Sequence, residues 1–369
     1  MPTNLLTGQL TIRLRWRQGK VTAVHICSSR LRLGTRFFAG KPVDSAPKLV
    51  GMLFSLCGTA QSVASARACE QALGQQASPE AEQQRDFQIR VEALFEHLLR
   101  LSQDWNTALG CELPAPAELH TLFKLKRELL QATDPQPVLA EIRQWLETHL
   151  LGMPTSEWQE YCCIGDVNKL VSSGKIGNLV SVLQARGWDS LGDTPIHLLP
   201  ELAADWWQQR LASADAENFM AEPDVDGQAC ETSALTRQWG NPGLQVWRER
   251  YGNGLITRLV ARVLDMLYSL HTPLEREWPG SGGTPQAGIS LLQTARGLLA
   301  HRVTQQSGLI RDYQIVAPTE WNFHPRGSLQ NMLATLQGKD EADLSQQARI
   351  LITALDPCVD YQLEIIPDA

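Results

Sequence analysis

Two of the eight cysteines in this 369-residue chain stand near its opposite ends, in segments that could bind a metal. Cys57 is followed by a glycine, and Cys358 follows Asp356 and Pro357. The cysteines are irregularly spaced in a long chain, which argues for reduced thiols rather than a disulfide framework. A thiolate is both a nucleophile and a metal ligand. These two cysteines are therefore candidates for metal or redox chemistry, although an isolated buried cysteine is usually only a small hydrophobe.

Composition and charge exclude several classes of protein. With 43% apolar residues and eleven tryptophans, the chain can bury a large core. The net charge is −7, and no basic run interleaved with aromatic residues would follow a phosphate backbone, so nucleic-acid binding is not expected. The first residues lack the basic region of an export signal, and nowhere do about eighteen apolar residues run together as a membrane span requires. We therefore expect a cytoplasmic protein without a membrane span.

The apolar periodicity predicts an α+β fold that is mainly α-helical. Apolar and polar residues alternate over 10–16, and residues 17–20 offer a turn into 21–26, which indicates an N-terminal hairpin. From about residue 45 the pattern becomes helical, with Val91, Leu94 and Leu98 on one face of a long helix. A central bundle of long helices should follow the small N-terminal sheet.

The clearest single helix is predicted over 255–270, because its apolar residues repeat at helical spacing and Pro273 cannot continue it. Segments 212–229 and 275–288 are typical of loops. Residues 289–304 and 307–317 are predicted to be extended segments joined at 305–306, and a helix should lead into Cys358. We expect C-terminal strands that return the last segment to the site beneath Cys57.

The length allows one large or two ordinary domains, and we expect a single domain over 1–369 in three parts. Residues 1–44 form a β-rich part, 45–272 a helical bundle, and 289–369 strands, a helix and the terminal segment with Asp356, Pro357 and Cys358.

Four ordered blocks of the sequence resemble the large subunit of nickel-iron hydrogenases. They lie at 37–74, 231–237, 294–327 and 356–358. In the third block, T-A-R-G-L-L-A-H and G-L-I-R-D-Y-Q-I-V-A-P-T-E-W-N resemble the family's A-P-R-G-x-L-x-H and G-x-I-x-x-Y-Q-x-V-x-P-S/T-x-W-N. The blocks together span nearly the whole chain, and the resemblance implies a hydrogenase large-subunit-like fold.

The departures from this family concern catalysis. Its large subunits hold a binuclear metal centre with two Cys-x-x-Cys pairs, and the second cysteine of each pair bridges nickel and iron. Here those second positions are Ala60 and Tyr361, which cannot bridge two metals. The family's proton-relaying glutamate falls at Thr7, which cannot ionise near neutral pH. The resemblance therefore implies a protein that is not an enzyme, with no nickel expected.

Other positions retain what the family uses to hold iron. The resemblance implies that Arg296 and Thr319 donate hydrogen bonds to the cyanides of an Fe(CN)2(CO) fragment, with Cys57 and Cys358 as thiolate ligands. Each charge-assisted hydrogen bond is worth roughly 1.5–3 kcal/mol. Two structural alternatives remain open.

The first alternative is that Arg296 pins a loop through a carboxylate, for which Asp44 and Asp356 are the candidates. The second is that Thr319 only caps the turn after Pro318.

The chain resembles, within this family, the large-subunit-like hydrogenase expression/formation proteins of the HupK and HoxV type. The resemblance implies an assembly scaffold that holds or relays the iron fragment to the apo hydrogenase large subunit, with hydrogenase maturation proteins as further partners. A metal-free chaperone or docking protein is the alternative, and a reduced hydrogenase is a third reading that Thr7, Ala60 and Tyr361 oppose. The carrier hypothesis requires Cys57 and Cys358 to be neighbours beside Arg296.

Overall fold

The computed structural model describes residues 8–29, 37–54, 56–172, 174–271, 282–284 and 286–368. Helices dominate this part of the chain and two small sheets accompany them, so the predicted α+β, mainly α fold is confirmed. Thr7 and much of the predicted loop at 275–288 lie outside the described residues.

The first sheet joins the two ends of the chain. Its strands are β1 (Gln9–Arg17), β2 (Lys20–Ser28) and β7 (Asp360–Pro367), in the order β2-β1-β7. Strands β1 and β2 form the predicted antiparallel hairpin, whereas β7 pairs with β1 in parallel, with Leu10 opposite Tyr361. The last strand thus completes the N-terminal sheet, and this pairing returns the segment around Cys358 to the beginning of the fold.

The central part of the chain is a succession of helices. They are α1 (Ala46–Leu53), α2 (Gly58–Ala72), α3 (Pro79–Leu99), α4 (Trp105–Leu109), α5 (Pro116–Gln131), α6 (Gln136–Leu146), α7 (Thr155–Ile164), α8 (Val167–Val171), α9 (Gly174–Ala185), α10 (Ala204–Ala212), α11 (Ala216–Ala221), α12 (Ala234–Arg237), α13 (Pro242–Tyr251) and α14 (Leu255–His271). π-Helical turns at Arg100–Asp104 and Glu147–Leu151 continue α3 and α6. The predicted loop at 212–229 is partly wrong, because α11 lies within it.

The helix α14 is the centre of the main core and confirms the prediction over 255–270. Its apolar residues Leu255, Leu259, Val263 and Leu267 are all fully buried. It packs against α3, α12, α13 and α17 (Glu341–Leu355), so apolar side chains are needed on most of its circumference. This all-round burial makes the charged residues on the same helix unusual.

The second sheet is an antiparallel meander of β3 (Gly282–Thr284), β4 (Ala287–Thr294), β5 (Gly297–Gln306) and β6 (Leu309–Val316). The sequence predicted two extended segments here. The structure instead breaks the first segment at residues 295–296 and places the second turn at 307–308. The helix α2 packs across β4 and β5. The first of these turns carries Arg296.

Three helices complete the C-terminal part: α15 (Pro318–Asn322), α16 (Ser328–Ala334) and α17. The helix α17 ends at Leu355, and the next residue, Asp356, has a left-handed backbone conformation with φ of 58°. This conformation turns the chain sharply out of the helix. The helix end therefore places Asp356 and Cys358 between α17 and β7.

Candidate functional site

A two-residue turn between β4 and β5 presents Arg296. Thr294 pairs with Gly297 across the turn, which leaves Ala295 and Arg296 at its tip. The Thr294 hydroxyl accepts a hydrogen bond from the Arg296 backbone N–H at 3.1 Å and donates one to the Gly297 carbonyl at 3.0 Å. Asn322 donates to the Arg296 carbonyl at 3.2 Å. These bonds fix the backbone from which the guanidinium extends.

Gly297 is required at the next position for a steric reason. Its φ is +134°, and a Cβ atom there would lie 2.3 Å from the carbonyl oxygen of Thr232. Any larger residue would push the turn away from the chain at Thr232. The glycine after Arg296 therefore allows the turn to sit deep in the molecule.

The guanidinium of Arg296 is buried and held by two carboxylates. Its Nη2 donates to Glu96 at 2.8 Å. Its Nε lies 3.2 Å from Oδ1 of Asp356, close enough for an ion pair but not aligned for a hydrogen bond. Of the two carboxylates proposed as loop-pinning partners, Asp356 is thus correct and Asp44 is wrong, because Asp44 is exposed on the short helical turn at 43–45.

Asp356 is the centre of a buried cluster of three arginines. Its carboxylate lies 2.9 Å from Nε of Arg100 and 3.0 Å from Nη1 of Arg262, in addition to its contact with Arg296. Burial acts to raise the pKa of Asp356, but Arg296, Arg100 and Arg262 outweigh it and hold that pKa well below its usual range. The carboxylate is therefore ionised throughout the ordinary pH range.

A second buried charge cluster lies beside the first. Arg237 bonds Asp265 through Nη2 at 2.6 Å, and His97 contacts the same carboxylate through Nε2 at 2.8 Å. Nδ1 of His97 lies 3.5 Å from Nη1 of Arg262, which links the two clusters. Burial, the largest effect, lowers the pKa of His97 below its ordinary value. Arg237 also donates to the Ala295 carbonyl at 2.8 Å and so supports the turn.

Cys57 lies at the N-terminus of α2 and is almost fully buried, with 9% of its surface exposed. The side-chain amide of Gln61, one helical turn later, donates to its sulfur at 3.7 Å. The first backbone N–H groups of the helix, at Thr59 and Ala60, bond the carboxylate of Glu92 at 2.7 and 3.0 Å. This carboxylate caps the helix end at which Cys57 stands.

Cys358 contacts Thr319 directly. The distance between the Thr319 hydroxyl oxygen and the Cys358 sulfur is 2.8 Å, and the backbone N–H of Cys358 donates to the same hydroxyl at 3.4 Å. Thr319 is buried in the first turn of α15, whereas Cys358 is half-buried. The hydroxyl therefore binds the cysteine segment, a contact that neither sequence interpretation of Thr319 included.

Arg296 brings the two cysteines into one electrostatic environment. Burial acts to lower the pKa of Arg296, but Asp356 and Glu96, with lesser contributions from Cys358 and Cys57, outweigh it and raise that pKa above its ordinary value. Both sulfur atoms must lie near the guanidinium to have this effect. The structure thus brings the residues predicted for the site together, with the exception of Asp44, and metal binding by the two cysteines stays a prediction.

Comparisons with known proteins identify the family of this chain and its fold. A family model described as "Nickel-dependent hydrogenase" matches residues 211–360. The hydrogenase expression/formation protein HoxV of Cupriavidus necator is 31% identical over 384 aligned residues, covering 96% of each chain. The corresponding proteins HupV of Azotobacter chroococcum and HupK of Azotobacter vinelandii are each 30% identical, covering 98% of this chain and 99% of theirs.

This chain belongs to the hydrogenase expression/formation proteins. Among solved structures, the nickel-iron-selenium hydrogenase of Desulfovibrio vulgaris Hildenborough superimposes with a TM-score of 0.64 in its oxidised state and 0.60 in its reduced state. The sequence identities are 16% and 17%, and each match covers 93% of this chain and 94% of the other. This similarity confirms the predicted large-subunit-like fold.

The family's two absent cysteines are replaced by residues with structural roles here. Ala60 is fully buried in the first turn of α2, and Tyr361 lies on β7 opposite Leu10. Within the described ranges, no group of three or more histidine, cysteine or carboxylate side chains is arranged to bind a metal ion.

The sequence predicts a chain without a membrane span. None of the helices in the described part of the chain is long and apolar enough to cross a membrane.

Sequence reasoning missed several members of this site. Glu92, Glu96 and Arg100 repeat at intervals of four, so they lie on one face of α3 and its π-helical turn. Arg262 and Asp265 are buried charged residues of the mainly apolar helix α14. Ionisable residues on the core face of a helix are a signal that could have been read from the sequence, because such residues are rarely buried without partners.

Proposed function

We propose that this protein acts in hydrogenase maturation as a non-catalytic scaffold that holds the Fe(CN)2(CO) fragment and transfers it to the apo large subunit. Its relatives are named as hydrogenase expression/formation proteins, which supports the general role. The partners would be the hydrogenase large subunit and the maturation proteins that deliver the fragment. We place this role in the cytoplasm, since all eight cysteines are free thiols, as a reducing compartment favours.

The observation that carries the proposal is that two thiols lie within electrostatic reach of the buried Arg296 guanidinium. Cys57 and Cys358 come from opposite ends of the sequence, yet both act on the same buried guanidinium. Thiolates are soft ligands that suit ferrous iron, and they form most readily where positive charge is near. The two cysteines would hold the iron, and the arginine would face the ligands of the fragment.

Two arginine donors that form no hydrogen bond, of which Nε of Arg296 only ion-pairs with Asp356, support an acceptor-rich cargo. The Nε atoms of Arg296 and Arg262 are buried and form no hydrogen bond among the described residues. A buried donor left unpaired costs roughly 1–3 kcal/mol, so such groups usually have a ligand, a water or a function. A cyanide nitrogen with partial negative charge would accept such hydrogen bonds.

Hydrogen turnover is not part of the proposal. At the family's bridging positions the chain has Ala60, whose N–H binds Glu92, and Tyr361, whose backbone pairs within a strand. Neither side chain supplies a thiolate to nickel. The iron fragment is therefore a cargo rather than half of a catalytic centre.

A second function is favoured by one specific observation. The groups that would hold the cargo already bind one another: Thr319 contacts Cys358, and Arg296 pairs with Asp356 and Glu96. A site closed by its own contacts suits a metal-free docking protein that imitates the large subunit. Cargo binding would require the Thr319 hydroxyl to exchange partners.

Infrared spectroscopy of protein isolated without oxygen, after co-production with the maturation machinery, separates the two functions. The scaffold predicts cyanide and carbonyl stretching bands that disappear in Cys57→Ser and in Cys358→Ser. The matched control is Cys163→Ser, which changes an exposed thiol and should leave the bands intact. If the wild-type protein has no bands yet forms complexes with maturation proteins that survive both substitutions, the docking function is correct instead.

A further inference from the structure

A stripe of polar residues runs along the buried face of α2, starting from Cys57. Gln61 and Ser65 follow at intervals of four residues, so all three side chains lie on one face of the helix. The helix packs against β5, which contributes His301, and Tyr313 stands on the neighbouring strand β6. The side chains that accompany Cys57 are each at most 1% exposed: Gln61, Ser65, His301 and Tyr313. Polar groups buried this deeply must satisfy one another.

Hydrogen bonds connect these residues in a line that ends at the Cys57 sulfur. Tyr313 OH lies 2.9 Å from Nδ1 of His301, and Nε2 of His301 lies 2.9 Å from Oε1 of Gln61. The amide nitrogen of Gln61 then donates to the sulfur at 3.7 Å. The line thus joins a core tyrosine to a candidate metal ligand on another element of the fold.

The direction of donation along this line follows from the chemistry of its members. Burial, the largest effect, raises the pKa of Tyr313 well above its ordinary value against a hydrogen bond with Ser65 that lowers it, so the phenol keeps its proton. The Tyr313 proton is then free to point at Nδ1 of His301. Full burial favours the neutral imidazole, which carries its single proton on the other nitrogen and donates it to Gln61.

The amide of Gln61 has only one orientation compatible with this pattern. Its oxygen accepts from His301, so its N–H groups face Cys57. A sulfur that receives a hydrogen bond is favoured as thiolate, which is the form that binds metals. Every donor in the line therefore points towards the cysteine.

We propose that His301 and Tyr313 are positioning residues for Cys57, which act through Gln61 by keeping the N–H side of its amide turned towards the sulfur. The inference deepens the proposed function and rests on the role of Cys57 as a ligand of the iron fragment. The proposed positioning residues act on Cys57 alone, because Cys358 contacts Thr319 instead.

The test compares the two cysteines within the same metal-free, full-length protein. Modification by iodoacetamide at one fixed pH is followed by mass spectrometry of the peptides that contain Cys57 and Cys358. Gln61→Glu keeps the size and the contact to His301 but replaces the donor with an acceptor. It should slow modification of Cys57 by about tenfold or more and leave Cys358 unchanged.

Tyr313→Phe is the decisive variant because it changes nothing adjacent to Cys57. Without the phenol proton, His301 can adopt its other tautomer and turn the Gln61 amide around, so modification of Cys57 should slow severalfold. The matched controls are Gln347→Glu and Tyr251→Phe, which change a buried glutamine and a buried tyrosine away from this line. Neither control should change the ratio of the two rates.

The proposal is overturned if Tyr313→Phe leaves the ratio at its wild-type value, or if Cys57 and Cys358 change together in either variant, as general loosening would cause. Should Gln61→Glu fail to fold, Gln61→Met removes the amide at similar length and gives the same comparison. The infrared spectrum of the protein is a measurement independent of the ratio of the two modification rates. A changed ratio without bands rejects only the proposed cargo, whereas bands with an unchanged ratio reject only the positioning role.

Discussion

The contribution of Asp356 to stability can be worked out from its surroundings. One carboxylate, with 2% of its side chain exposed, faces three guanidinium groups at 2.9 to 3.2 Å. In Asp356→Asn the amide keeps the shape but not the charge, so Arg100, Arg262 and Arg296 lose their shared counterion. Removing one partner of a buried ion pair typically costs about 3–5 kcal/mol. We expect a loss of about 4 kcal/mol in the free energy of unfolding.

Calorimetry is a suitable assay. Unfolding entropy near the transition is about 2.1 cal/mol/K per residue, so a chain of this length should lose about 5 °C in Tm at pH 7. Because the strand β7 follows Asp356 directly, its amide hydrogens should also exchange faster in the variant. The control is Asp215→Asn, which removes an exposed partner of Arg210 and should leave Tm almost unchanged.

The pH dependence gives a second measurement. The pKa of Asp356 is depressed in the folded protein, so its stabilisation is fully present above the unfolded value of about 3.9 and is lost as pH falls towards the folded value. The difference in Tm between wild type and Asp356→Asn should therefore be constant near neutrality and shrink below about pH 4. A variant that melts within 1 °C of wild type at pH 7, where roughly 5 °C is expected, would refute the reasoning.

Two further predictions concern neighbouring parts of the site. Gly297→Ala combines a φ of +134° with a Cβ contact of 2.3 Å to Thr232, so thermal unfolding should show a loss of several kcal/mol in the free energy of unfolding. Gly227→Ala, where φ is +78° and the space around the Cβ is open, should lose only about 1 kcal/mol. Equal losses would contradict the steric argument. His97 has a lowered folded pKa, so the unfolded chain binds the extra proton and stability should fall as pH drops below about 6.5. In His97→Gln, Tm measured from pH 7.5 to 5.5 should decline less than in wild type; a parallel decline would show that His97 is not the titrating group.

Much of the fold could be predicted because it depends on local patterns. Alternation of apolar residues predicted the hairpin of β1 and β2, and helical spacing predicted α14 almost to the residue. The turn at Arg296 was missed because its two residues include none of the glycine or asparagine signals of a short hairpin, while Gly297 follows the tip. Gly297 is required because a Cβ atom there would meet Thr232, which is distant in the sequence, so no local pattern could predict this glycine.

The sequence by itself determined the chemical inventory: two isolated cysteines, an arginine and a threonine in motifs that resemble a hydrogenase large subunit, and alanine and tyrosine where bridging thiols would stand. These are properties of residue type and order, and they do not depend on how the chain folds.

Only the tertiary structure decided which groups meet. The parallel pairing of β7 with β1 and the end of α17 bring the segment of Cys358 back to the start of the fold. Arg296 pairs with Asp356 and Glu96 rather than with Asp44, and Thr319 binds Cys358. Burial is the physical reason, since a charge or a hydroxyl removed from water must find a partner among the groups that packing places beside it, however distant they are in sequence.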